Sequence, residues 1–214
     1  MVYFDRDGST TNLYQPSPGY KISVGDAVVG PAGEIYLAVT KLLTGDKTKA
    51  SVARVTGTGA KIWETELYNN PSFGAASIEI DAGDGGELYV TGMTELNFDD
   101  QLLMNSWIAA LSSGGNVLWK DYLENSNSGE EVAFDGFSGL LVMNMNCGTI
   151  NYISLPDGMI TDRIRVYDVC DPYDTGALLR SMAVNPQGDY FMAGARSGNF
   201  YYALRKGIVY DNQQ

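Results

Sequence analysis

Carboxylates are the reactive groups this sequence holds in quantity: 26 Asp and Glu against 14 Lys and Arg, with no histidine at all. The missing imidazole excludes Ser-His-Asp and Cys-His nucleophilic catalysis, imidazole general bases and His-ligated zinc. Asp81-Ala82-Gly83-Asp84-Gly85-Gly86-Glu87 gathers oxygen donors at a Gly-rich turn, the composition that can hold calcium. It lacks the ligand spacing of an EF-hand loop, and other copies of the same turn are Gly30-Pro31-Ala32-Gly33 and Asn185-Pro186-Gln187-Gly188, so a plain turn is the better reading. The remaining acidic groups are Glu130-Glu131 with Asp135, Asn97-Phe98-Asp99-Asp100 and Asp171-Pro172-Tyr173-Asp174. Glycoside hydrolysis needs two carboxylates facing one sugar across a fixed gap, and no pair here is assigned to that role. The expectation is a protein without catalytic, metal or cofactor residues.

Other chemistries are disfavoured by composition. A formal charge of −12 opposes binding of a phosphate backbone, since each phosphate contact needs a cation. Thr56-Gly57-Thr58-Gly59 and Gly83-Asp84-Gly85-Gly86 have no following Lys-Ser/Thr and no helix after a strand, so they are not phosphate loops. No apolar run reaches the roughly 18–20 residues of a membrane-spanning helix, which predicts no membrane insertion. Met1-Val2-Tyr3-Phe4-Asp5-Arg6 has no basic then apolar leader pattern. Cys147 and Cys170 allow one disulfide, or two reduced thiols in a core.

The elements that would position these groups are read from self-similarity. Gly33-Glu34-Ile35-Tyr36-Leu37, Gly86-Glu87-Leu88-Tyr89-Val90, Gly139-Leu140-Leu141-Val142 and Gly188-Asp189-Tyr190-Phe191 recur at offsets of 53, 53 and 49 residues. Each follows a short apolar strand and a turn, which makes four copies of a hairpin. A second hairpin follows each. Ser51-Val52-Ala53-Arg54-Val55 turns at Thr58-Gly59 into Lys61-Ile62-Trp63, and Trp107-Ile108-Ala109-Ala110-Leu111 turns at Gly114-Gly115 into Val117-Leu118-Trp119. Later copies turn at Asp157-Gly158 and Lys206-Gly207 without the Trp. Glycine accepts the positive φ such turns require. A fifth copy of the second hairpin, Val2-Tyr3-Phe4 turning at Asp7-Gly8 into Thr11-Asn12-Leu13, opens the chain with no first hairpin before it.

A four-stranded antiparallel unit of about 50 residues cannot bury both faces alone, so units stack, and radial closure leaves only short edges. The expected fold is all-β: a small β-propeller of four four-stranded blades plus an N-terminal two-stranded half-blade, a single domain over 1–214. The boundaries are 1–19 for the half-blade, then 20–69, 70–124, 125–171 and 172–214. The run Ile35 to Val39 and its copies would be inner strands buried on both faces, with Trp63 and Trp119 packing between adjacent blades. The pattern Gly-Glu-[Ile/Leu]-Tyr-[Leu/Val], a variable loop, an apolar strand and Gly-x-x-x-Trp-[Glu/Lys] resembles the β-propeller repeats of bacterial surface proteins of the SBBP type, and more loosely PQQ-like propellers. That resemblance is clear over 20–124 and weak beyond; it implies a fold, and those families span lectins, scaffolds, receptors and enzymes.

Residues 41–50 and 93–106 read as long loops emerging on one face of the ring. Leu42, Leu43, Leu96, Phe98, Leu102, Leu103 and Met104 are therefore the expected protein-contact residues, because consecutive exposed apolar side chains mark protein contacts. The expected function is a non-catalytic interaction or structural module whose partners are other protein subunits, of the same or another chain. A virion component such as a phage tail or capsid protein, or a surface appendage, is the expected setting, with the cytoplasm also open. A glycan-binding propeller using the 14 Tyr as stacking platforms is the alternative, and a propeller glycosidase the second alternative.

Overall fold

The structure is a computed structural model that describes residues 2–4, 10–12, 21–43, 47–68, 74–98, 101–123, 129–144, 149–155, 157–165, 177–185, 190–196 and 199–205. Among these residues every regular element is a strand. β1 (Val2–Phe4) and β2 (Thr10–Asn12) form a hairpin of their own. β3 (Lys21–Val29), β4 (Ile35–Leu42), β5 (Thr48–Val55) and β6 (Lys61–Tyr68) form the first four-stranded sheet. β7 (Ala75–Ala82), β8 (Leu88–Phe98), β9 (Gln101–Leu111) and β10 (Val117–Leu123) form the second. β11 (Gly129–Phe134), β12 (Gly139–Asn144), β13 (Thr149–Ser154) and β14 (Met159–Arg165) form the third. β15 (Ala177–Val184), β16 (Tyr190–Arg196) and β17 (Asn199–Arg205) form a three-stranded sheet. The strand expected after Gly207, and both cysteines, lie outside the described residues. All pairings are antiparallel between chain neighbours, the arrangement that tight turns produce.

The turns explain the repeat. In the first and second sheets, Gly30 N donates to Glu34 O and Gly83 N to Glu87 O, with Gly33 at φ +82° and Gly86 at φ +84°. Gly59 and Gly115 turn the second hairpins at φ +83° and +87°. These are conformations a β-carbon disfavours.

Stacking follows from burial on both faces. On β4, Tyr36 and Ala38 join Val52, Ile80, Leu88, Val90 and Trp107 in the core between the first and second sheets. The alternate residues Leu37 and Val39 lie with Ala53 and Val55 on the far face, and all four are buried. Tyr89, Ile108 and Ala110 turn the other way, into a core with Val132, Leu140, Val142 and Ile153 of the third sheet. Leu141, Met143 and Ile150 meet Met182 and Tyr190 of the fourth. The continuous apolar character of the second strand is thus the signature of burial on both faces.

The first strands carry the junctions. Each has a register shift at the corresponding place: Val24/Ala27, Ser77/Glu79, Gly129/Glu131 and Leu179/Ser181. A bulge there bends the strand and sharpens its twist. At the first junction Gly25 abuts the next sheet's backbone: a β-carbon on it would sit 2.8 Å from Ser77 O. Asp26 Oδ2 accepts from Ile80 N at 3.3 Å, Asp81 Oδ2 from Phe134 N at 2.8 Å, and Glu131 Oε2 from Met182 N at 2.6 Å. One carboxylate per junction therefore reaches a backbone amide about 50 residues later.

Trp63 and Trp119 do pack between sheets. Trp63 on β6 lies over Gly115 of the second sheet, where a β-carbon would meet its ring at 2.9 Å; Trp119 on β10 lies over Gly158 of the third, where the distance would be 2.6 Å. Thr65 Oγ1 donates to Gly115 O at 2.6 Å beside the first contact. Residues 93–106, expected as a loop, are not one. β8 and β9 pair from Leu88↔Leu111 through to Phe98↔Gln101, because the two segments satisfy each other's backbone groups on either side of residues 99–100. Within 41–50, residues 41–42 and 48–50 are likewise strand, with Leu42 paired to Thr48.

Candidate functional site

Two features at opposite ends of the second sheet stand apart from its packing. The first is an arm. Among the described residues β7 runs alongside β8 as far as Thr94, and β10 alongside β9 as far as Ser106. Beyond those points Glu95↔Met104, Leu96↔Leu103, Asn97↔Leu102 and Phe98↔Gln101 pair only with each other among the described residues. Five of the seven expected contact residues, Leu96, Phe98, Leu102, Leu103 and Met104, sit on this two-stranded extension. The other two lie at the same end of the first sheet, Leu42 at the close of β4 with 39% exposure and Leu43 just after it, half-buried.

The second feature lies at the turn end. A cleft of about 430 Å³ opens between the second and third sheets, lined by Asp84, Gly85 and Glu87 of one turn, Tyr89, Ala110, Leu118 and Trp119 of the strands behind it, and Phe134, Phe137, Ser138 and Leu155 of the third sheet. Its floor is fixed. Tyr89 stacks near Phe134 with centroids 6.0 Å apart and planes at 22°, and burial, then the charges of Glu87, Asp81 and Asp135, pushes the Tyr89 hydroxyl up to about 12. Its rim is open, with Phe137 69% and Leu118 55% exposed. Aromatic faces under a negative field make a surface for cations or for stacked rings. Spacing along the chain gave no sign of this cleft, whose lining comes from two sheets.

Three of the carboxylates considered for catalysis or calcium, Asp81, Glu131 and Asp135, serve the fold. Asp135 Oδ1 accepts from Phe137 N, Ser138 N and Gly139 N, and its Oδ2 from the Tyr152 hydroxyl at 2.7 Å, closing the turn between β11 and β12. Asp81 holds Phe134 N and its neighbour Ala82 N at 2.8 Å each. Burial pushes its carboxyl up, the two amide hydrogen bonds oppose that, and nearby Asp26 adds to the rise. Glu131 accepts from Met182 N and from the Ser181 hydroxyl. Glu130 and residues 99, 100, 171 and 174 lie outside the described side chains.

By architecture the chain belongs with all-β proteins built of repeated four-stranded antiparallel sheets. No family model matches it, and no curated protein matches it in sequence. It is similar in structure to a protein of unknown function from Bacteroides caccae, at TM-score 0.55 and 17% identity, over 87% of this chain and 61% of that one. Weaker likenesses are the polysaccharide lyase Uly1, at TM-score 0.46 and 11% identity over 86% of this chain and 45% of the lyase, and a eukaryotic initiation factor, at TM-score 0.28 and 10% identity over 85% and 55%. The chain thus spans less than two thirds of each of these proteins. The first likeness bears on fold alone and the weaker two carry no argument, so the resemblance to SBBP-type and PQQ-like repeats rests on the repeat motif itself.

Proposed function

We propose that the sheets close into a small β-propeller, and that this propeller is a non-catalytic module assembling with further protein subunits, its own chain among them, through the β8–β9 arm. The observation that carries the reading is the extension of both strands past the described part of their neighbours, with Leu96, Phe98, Leu102, Leu103 and Met104 on it. A two-stranded ribbon has little core of its own and unpaired outer edges, so it gains from a partner that covers it. Closure is supported by the burial of Leu37, Val39 and Ala53 on the far face of the first sheet, the face a ring must also cover. The non-catalytic part is supported by Asp81, Glu131 and Asp135 being engaged with backbone amides. A virion tail or capsid, or a surface appendage, is the setting that suits such a module.

The test is the native mass of the tagged chain isolated from its own source, with and without the arm, residues 96–103 being replaced by Asn-Gly to leave a tight turn. The expected result is a fixed assembly that falls to single chains when the arm is shortened. A single chain from the start, or an assembly indifferent to the arm, would overturn the proposal. A glycan-binding reading draws on Trp119 and Phe137 in the cleft, and it predicts that a neutral oligosaccharide alters tryptophan emission.

A further inference from the structure

The molecule contains its own template for what the cleft binds. In the first sheet Tyr36, Arg54 and Trp63 occupy one row across β4, β5 and β6, since Tyr36 pairs with Arg54 and Arg54 with Trp63. The Arg54 guanidinium lies 5.9 Å from the Tyr36 ring centroid and its Nη2 is 3.7 Å from Glu34 Oε1 in the adjoining turn. Tyr36 and Trp63 rings stand 5.9 Å apart beside it. In the second sheet the same row reads Tyr89, Ala110, Trp119, with Glu87 in the place of Glu34. Three of the four members recur and the arginine does not. In the third sheet the central position is filled again, by Tyr152, whose hydroxyl donates to Asp135.

The open cleft is therefore the second sheet's copy of a site that holds a guanidinium in the first. We propose that it receives the guanidinium of an arginine side chain presented by a partner polypeptide. Glu87 supplies the carboxylate, and no cation pairs with it among the described residues; Asp84 adds a second negative charge on the same turn. Tyr89 and Trp119 supply the aromatic surfaces, and guanidinium is the cation best suited to such stacking because it is planar and weakly hydrated. Phe137 at the open rim covers the aliphatic stem of the incoming side chain. The net charge of −12 draws a basic segment toward the surface. A neutral sugar would use the rings but leave the carboxylates without a partner. The inference rests on the interaction reading only for its source, a polypeptide; the arm is at the other end of the sheet.

The experiment titrates the full chain with the capped tripeptide Gly-Arg-Gly, with its citrulline counterpart and with methylguanidinium, read by tryptophan fluorescence and calorimetry. Saturable binding of the arginine peptide is expected, weakened about tenfold or more when citrulline removes the charge. Glu87→Gln lowers the affinity by a similar factor with melting unchanged, and Ala110→Arg fills the cleft as Arg54 does and abolishes binding. Shortening the arm leaves peptide affinity intact, so a failed assembly test and a failed cleft test are told apart. No saturable binding to the native chain, citrulline binding as well as arginine, or indifference to Glu87→Gln would each overturn the proposal, even if Ala110→Arg does not fold. Methylguanidinium binding as tightly as the peptide would overturn the polypeptide source.

Discussion

Glu64 on β6 and Asp81 on β7 are both largely enclosed carboxylates, yet their surroundings move them in opposite directions. Burial alone would raise Glu64, but the hydrogen bond and charge of Lys41, the hydrogen bond from Lys61 at 3.0 Å and that from Ser51 at 3.0 Å outweigh it, and its carboxyl sits below the ordinary range. A lowered folded value means stability that is present above the unfolded value of about 4.3 and lost as pH falls through the folded one. Glu64→Gln should cost about 1–2 kcal/mol at pH 7, with the deficit relative to the native chain shrinking as urea denaturation is repeated below pH 4. Asp81 is raised, so the sign reverses: its share of stability is present below the unfolded value of about 3.9 and is lost as pH rises through the folded value. The melting temperature of the native chain, taken relative to Asp81→Asn, should therefore fall between pH 4 and 7. A constant difference would remove the charge argument. Neither assignment was legible in the sequence, where the two residues are ordinary acids in strands. What decides them is Lys41 two strands away in the sheet for Glu64, and for Asp81 burial, which outweighs the hydrogen bond from Phe134 N of the next sheet.

At the scale of elements, glycines of similar φ should differ by what stands over them. A β-carbon added at Gly33 would meet nothing within 4 Å, whereas Gly115 and Gly158 lie under Trp63 and Trp119. Gly33→Ala should cost about 1 kcal/mol through backbone strain. Gly115→Ala and Gly158→Ala should cost roughly twice that or more, because the new methyl group also displaces an indole. Guanidinium unfolding of the three variants separates the terms, and equal losses would mean that the tryptophans move aside freely. The hairpins themselves were legible: Gly-Glu-x-Tyr and Gly-x-x-x-Trp recur because a positive-φ turn and an inter-sheet contact recur. The arm was misread because Asn97, Asp99 and Asp100 look like loop chemistry, while the partner that makes 93–98 a strand is the segment 101–106 just beyond. The bulges left no signal either, since a register shift depends on the adjoining strand rather than on local composition.

In the molecule as a whole, the four larger sheets touch in chain order among the described residues, so a loss at one junction falls first on the sheets beside it. Glu131→Ala removes the acceptor of Met182 N and of the Ser181 hydroxyl. A lost charge-assisted bond is worth roughly 1.5–3 kcal/mol. Amide exchange in β15–β17 should therefore quicken by about tenfold or more, while β3–β10 keep their protection. Uniform acceleration over the chain would show a single cooperative unit instead. The stacked order of the sheets was readable from repeat spacing, but these junction carboxylates were not, as nothing local links Glu131 to an amide 51 residues on. They share a polarity. At all three junctions the carboxylate belongs to the earlier sheet and the amide to the later one. On a ribosome, then, each finished sheet already offers the anchor on which the next emerging strand sets its register, and the chain can be assembled in the direction in which it is made.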